Sequence, residues 1–192
     1  MAPAAMKTLA MAVASSGWLA AAAAGESTCL PDGSGFLSAR LRGDVEAETE
    51  WREPALACTG MRRPDGRGLR LHFSGALADG SPLALVFAAP LLAEGEDARA
   101  VPVNVTVLSG ADGRIYGTRG EHRCLLDEVT QRLLQEEEPT VRRWAVQGRG
   151  FCTEPARALD DSGSVLLTRF DFKGVVTASD APQATREAAP AP

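Results

Sequence analysis

Apolar and polar residues alternate with a period of two over most of the chain. Val45, Ala47, Thr49 and Trp51 fall on one side against Glu46, Glu48 and Glu50 on the other, the pattern of a half-buried strand with an acidic outer face. Leu69, Leu71 and Phe73 alternate with Arg70 and His72, and Leu83, Leu85 and Phe87 follow after Asp79-Gly80, which predicts a hairpin. Val101, Val103, Val105 and Val107 alternate with Asn104 and Thr106, and Ile115 to Thr118 returns after Asp112-Gly113 as a second hairpin. Val165 to Val176 reads as a longer strand with Phe170 and Phe172 on one face, and Asp32-Gly33 and Asp65-Gly66 mark further tight reversals.

Short strands separated by turn signals predict a mainly β chain, an antiparallel β-sandwich or flattened barrel. Leu125 to Glu138 is the exception. There Leu126, Val129, Leu133 and Leu134 fit a helical stripe among acidic and polar residues, and Pro139 closes the run. One short helix across an end of the sandwich is therefore expected, with a strand starting at Cys124 as the alternative.

The ends of the chain read differently. Lys7 precedes an alanine-rich apolar run from Leu9 to Ala24, too short to span a bilayer, which predicts a signal peptide over residues 1–24. Leu83 to Leu92 is broken by Pro82 and Pro90, so no stable membrane insertion is expected after that leader is removed. Residues 178–192, built of Ala, Pro, Gln and a few charges, read as a disordered tail. Residues 25–177 between them are expected to form a single β-rich domain.

Cys29, Cys58, Cys124 and Cys152 all lie beyond the leader, in two pairs of nearly equal spacing. An even count in an exported chain predicts two disulfides, with Cys29–Cys58 and Cys124–Cys152 as the preferred pairing. A faint internal echo points the same way: Trp51, Cys58-Thr59 and Phe73-Ser74-Gly75 resemble Trp144, Cys152-Thr153 and Phe172-Lys173-Gly174, one bridge per half.

Charge narrows the partners. The formal net charge is −5, and Lys7 and Lys173 are the only lysines among 20 basic residues, a bias attributed to a GC-rich bacterial genome. A net acidic chain with scattered arginines lacks the basic footprint of nucleic-acid binding, so no nucleic-acid partner is expected.

Reactive constellations are thin. The sequence has no C-x-x-C pair, and His122-Arg123-Cys124 falls short of the ligands zinc takes. His72 reads as a solvent-facing strand residue, and Gly33-Ser34-Gly35 is not a hydrolase elbow. Asp160-Asp161-Ser162-Gly163, with Asp171, is a dense acidic stretch that reads as turn chemistry rather than a calcium loop. No catalytic residue, metal or cofactor is assigned.

What remains is a set of Gly- and Arg-rich segments beside the cysteines, Gly60 to Gly68, Tyr116 to Gly120 and Gln147 to Phe151, read as loops. Arg62, Arg63, Arg119 and Arg149, with Trp144, are the candidate ligand-binding residues, because guanidinium forks match the carboxylate or sulfate of an anionic glycan or protein. The expected function is that of a periplasmic or secreted, non-catalytic binding or envelope-associated module. Two rivals stand beside it. One is a small secreted hydrolase of envelope polysaccharide, drawing a carboxylate pair from Glu46, Glu48, Glu50 and Asp171. The other is a protein inhibitor of an extracellular enzyme.

Overall fold

Alternating burial along nearly every segment makes the described chain a set of strands joined by turns. The structure, a computed structural model, describes residues 29–63, 66–120, 123–137 and 140–179. Residues 1–28, where the sequence predicts a leader, lie outside them, as do Asp65, His122, Glu138, Pro139 and residues 180–192. In chain order the strands are β1 (Phe36–Gly43), β2 (Ala47–Arg52), β3 (Ala57–Arg62), β4 (Leu69–Ala76), β5 (Pro82–Ala89) and β6 (Ala98–Ser109). They continue with β7 (Ile115–Gly117), β8 (Cys124–Glu137), β9 (Val141–Cys152), β10 (Ala156–Ala158) and β11 (Ser164–Ser179). The described residues contain no helix.

Among the described residues all 11 strands belong to one sheet, antiparallel throughout except at one point. From β6 the sheet runs through β5, β4 and β3 to β11, and from β11 it returns through β9 and β8 to β6. The sheet is thus ring-like, but it is not a barrel, because β3 meets β11 through a single parallel pairing, Met61 with Thr177. On that same edge β11 pairs with β1, which carries β2 as an outlying strand. β7 and β10 bridge β6 to the start of β11. β11 runs through Ser179, so Ala178, which the sequence pattern assigns to the tail, is a fully buried strand residue.

The expected hairpins are β4–β5 and β6–β7, and the expected acidic strand is β2. At the first hairpin Gly80 donates its N–H to Leu77 O at 2.9 Å and adopts φ +84°, whereas Asp79 keeps a negative φ. The reversal is therefore a type I turn closed by a left-handed glycine, rather than the two-residue turn that Asp-Gly also permits.

The helix expected over residues 125–138 is not formed. β8 fills that stretch and pairs with β9 along its length, and its register slips between Leu126 and Glu128 and again between Leu133 and Gln135. Each slip inserts a residue into the alternation, so the buried Leu126 and Val129 stand three apart, which is the spacing of a helix face. Both disulfides form as paired in the sequence reading, Cys29 with Cys58 and Cys124 with Cys152. The echo between the halves is not a repeat of structure, since Cys58 lies near the start of β3 and Cys152 closes β9.

Inside the ring Phe73, Phe87, Phe170 and Phe172 form the centre of the core, with Phe87 centroids 4.8 Å from Phe170 and 4.9 Å from Phe172. Glycines make room for these rings: a Cβ on Gly148 would sit 2.8 Å from Phe172 Cζ, and one on Gly150 would sit 2.9 Å from Phe170 Cζ. Gly148→Ala is accordingly expected to cost about 1–2 kcal/mol by forcing Phe172 off its position. Urea unfolding measures the loss, and an unchanged midpoint would show that the core yields there without strain.

Candidate functional site

The β5–β6 connection, residues 90–97, crosses one end of the ring and carries Glu94. The Glu94 side chain is 14% exposed. Its Oε1 accepts from Arg142 Nε at 2.7 Å and from Trp144 Nε1 at 3.0 Å, and its Oε2 accepts from Arg62 Nη2. Burial alone would push this carboxyl up, but the hydrogen bonds from Arg142, Arg62 and Trp144 outweigh it and hold Glu94 below the ordinary carboxylate range.

Gln131 pins the same connection. Its Nε2 donates to the carbonyls of Ala93 and Glu96 at 2.7 Å each, and its Oε1 accepts from Gly95 N at 3.0 Å. Gly95, at φ +78°, lies under the Trp144 ring, where a Cβ would come within 2.7 Å. Beside this node opens a cleft of about 400 Å³ whose lining includes Arg62, Arg67, Pro90, Leu91, Leu92 and Glu94. Leu91 is 75% exposed, an apolar side chain at the rim of a charged site.

The sequence-derived candidates divide among four places. Arg62 and Trp144 meet at Glu94. Arg63 follows β3 in the connection to β4, where its N–H donates to Gly68 O at 3.1 Å and its carbonyl accepts from Gly66 at 2.9 Å. Arg119 lies in the β7–β8 connection and pairs with Asp161 at 3.3 Å. Arg149 projects from the outer face of β9 and pairs with Glu128 at 2.8 Å. Of the three segments read as loops, Gln147 to Phe151 is strand throughout and Gly60 to Arg62 lies in β3, with the inward glycines of β9 serving the phenylalanine core.

Arg149 belongs to a second cluster, on the outer face of β8, β9 and β11. Register places Arg99, Glu128, Arg149, Asp171, Ser38 and Glu50 in one row across adjacent strands. Glu128 is bonded on both sides, to Arg99 at 2.9 Å and to Arg149 at 2.8 Å. Asp171 differs: its Oδ1 is buried with no hydrogen-bond partner, and burial pushes its carboxyl up against the opposing pull of Arg149 and Arg169.

The remaining acidic candidates are accounted for by local pairing. Glu48 pairs with Arg40 at 2.7 Å, Glu50 with Arg52 at 2.8 Å and Glu46 with Arg42 at 3.3 Å. Asp160 accepts from Ser162 N and Oγ, the same Asp-x-Ser turn made by Asp32 with Ser34 and by Asp79 with Ser81. Among the described residues no group of three or more His, Cys, Asp or Glu could hold a metal ion. His72 is partly buried, and its imidazole is lowered by that burial and then by Arg70.

No family model matches the chain, and neither a curated protein nor a solved structure is significantly similar to it. Two disulfides are compatible with an extracellular or other oxidising compartment. Among the described residues no helix is long and apolar enough to cross a membrane.

Glu94, Arg142, Gln131 and Glu128 were not marked by sequence. A carboxylate in the β5–β6 connection that gathers Arg62 from β3 and Arg142 and Trp144 from β9 leaves no spacing signal, because it lies 32 to 50 residues from these partners in the chain.

Proposed function

We propose that the protein is an exported, periplasmic or secreted bacterial binding module, non-catalytic, that takes an anionic group of a glycan or protein at the end of its ring. The observation that carries this reading is the cleft beside Glu94. There Arg62 at the end of β3 and Arg67 in the β3–β4 connection share the lining with the apolar side chains of Pro90, Leu91 and Leu92. Glu94 fixes Arg62 in place, and a guanidinium held in position loses less freedom on engaging a carboxylate or sulfate fork. Export through the leader and the two disulfides fit a module that works outside the reducing cytosol.

The test uses the purified mature chain with polygalacturonate, dextran sulfate and uncharged dextran as probes. Binding to either charged polymer, weakening with added salt, is expected, and Arg67→Ala is expected to lower the affinity about tenfold. Equal binding by Arg67→Ala, or equal affinity for uncharged dextran, overturns the assignment of this cleft.

One observation favours the hydrolase reading: the raised Asp171 carboxyl faces the same Arg149 that Glu128 engages. Release of reducing ends from peptidoglycan or dextran, abolished in Asp171→Asn, would establish that activity in place of simple binding.

A further inference from the structure

The outer face of β8, β9 and β11 carries a groove of about 240 Å³ lined by Glu128, Thr130, Gln147, Gly148, Arg149 and Asp171. Every side chain in that lining is polar, whereas Gly148 turns its Cα toward Leu126 and Phe172 inside. The volume is below the roughly 300–1,000 Å³ of pockets for drug-sized ligands, which restricts the occupant to a unit of about one sugar ring.

The charges on this face are matched internally. Arg99 and Arg149 both engage Glu128, and Asp171 lies across from Arg149 in the adjacent strand. A row that neutralises itself does not select a charged ligand. It offers acceptors on Glu128 and Asp171, donors on Arg149, and groups of both kinds on Thr130 and Gln147. The matching ligand donates and accepts at each of several neighbouring atoms, which is the property of a ring of hydroxyls.

Two further observations bear on this. The described residues leave two buried side-chain oxygens unpaired, Thr49 Oγ1 and Asp171 Oδ1, and only Asp171 borders the groove. An unpaired buried acceptor lowers stability, so Asp171 stands where the fold has not spent its hydrogen-bonding capacity. Phe151, half-buried, lies two residues beyond Arg149 on the same face of β9 and extends the polar strip with an apolar surface. Apolar C–H faces alternating with hydroxyl edges are what a sugar chain laid along β9 would present.

We infer that the groove around Asp171 and Gln147 is a subsite for a neutral hexose or N-acetylhexosamine unit of a glycan, separate from the anion cleft at the ring end. Asp171 and Glu128 accept from adjacent hydroxyls, Arg149 and Gln147 donate to ring-edge oxygens, and Phe151 supports the next unit.

The test titrates the isotopically labelled mature protein with cellohexaose, chitohexaose and laminarihexaose and follows backbone amide shifts. At least one probe is expected to shift amides clustered at 128–130, 147–151 and 171, with a dissociation constant near the millimolar range. Gln147→Ala, an exposed substitution, is expected to weaken that binding about tenfold, as is Asp171→Ala, while Arg67→Ala at the ring end leaves it unchanged. The inference is overturned if no probe shifts these amides at about 10 mM. It is equally overturned if the shifts fall elsewhere, if Gln147→Ala binds as the parent does, or if polygalacturonate displaces the sugar. Loss of charged-polymer binding in Arg67→Ala bears only on the ring-end cleft, so the two readings fail separately.

Discussion

Replacing Cys29 and Cys58 together by serine is expected to remove roughly 3–4 kcal/mol of stability, and more than the same change at Cys124 and Cys152. The two bridges span 29 and 28 residues, so constraint of the unfolded chain alone would make them equal. The native state breaks the tie. Cys124 and Cys152 face each other within β8 and β9, strands already paired from end to end. Cys29 and Cys58 instead fasten the segment before β1 to β3, whose link to β11 is the lone Met61–Thr177 pairing. Close packing supports that seam, since a Cβ on Gly60 would collide with Val175 O, but packing of this kind lacks the directionality of a ladder. Glu53 is the other tie, accepting from Cys29 N at 2.6 Å and Gly35 N at 2.8 Å. Urea midpoints of the two double-serine variants decide the matter. Equal losses, or a greater loss at Cys124 and Cys152, would mean that the seam does not depend on its bridge.

What was legible in the chain was whatever depends on near neighbours. Leu69 to Phe87 declares a hairpin because alternation and the Asp79-Gly80 turn are both local, and the cysteine pairing followed from even spacing in an oxidising setting. β8 misled for a physical reason: bulges convert a period of two into the three-residue step of a helix stripe. The segment Gln147 to Phe151 misled in a related way. Its glycines signal a loop when the neighbours are unknown, yet they face Phe170 and Phe172, which fill the space side chains would otherwise occupy. The arginines were visible, but their grouping was not. Arg62 and Trp144 come together only because β3 and β9 flank β11 at the same end, a consequence of the ring closing on itself.

Glu94→Ala is expected to cost about 2–4 kcal/mol at neutral pH, because it leaves the guanidiniums of Arg62 and Arg142 and the Trp144 indole partly buried around an absent acceptor. Glu94→Gln keeps the shape and removes the charge, so it isolates the ionic part. A carboxyl held below its ordinary range in the folded state contributes stability that is fully present above the unfolded-state value and is lost as pH falls through the folded one. The stability gap between the parent and Glu94→Gln is therefore expected to be widest near neutrality and to shrink on acidification from about pH 5 towards pH 3, with measured urea midpoints converging. A gap that stays constant over that range would show that Glu94 acts through shape alone. The same carboxylate also orders the connection that forms the wall of the ring-end cleft, with Gln131 as an independent pin from β8. Glu94→Gln should thus keep the wall of the cleft in place through Gln131 but bind charged polymer more weakly than the parent, because Arg62 loses the carboxylate that fixes it. Binding by Glu94→Gln equal to or above that of the parent would instead mean that the carboxylate competes with the ligand for Arg62 rather than positioning it.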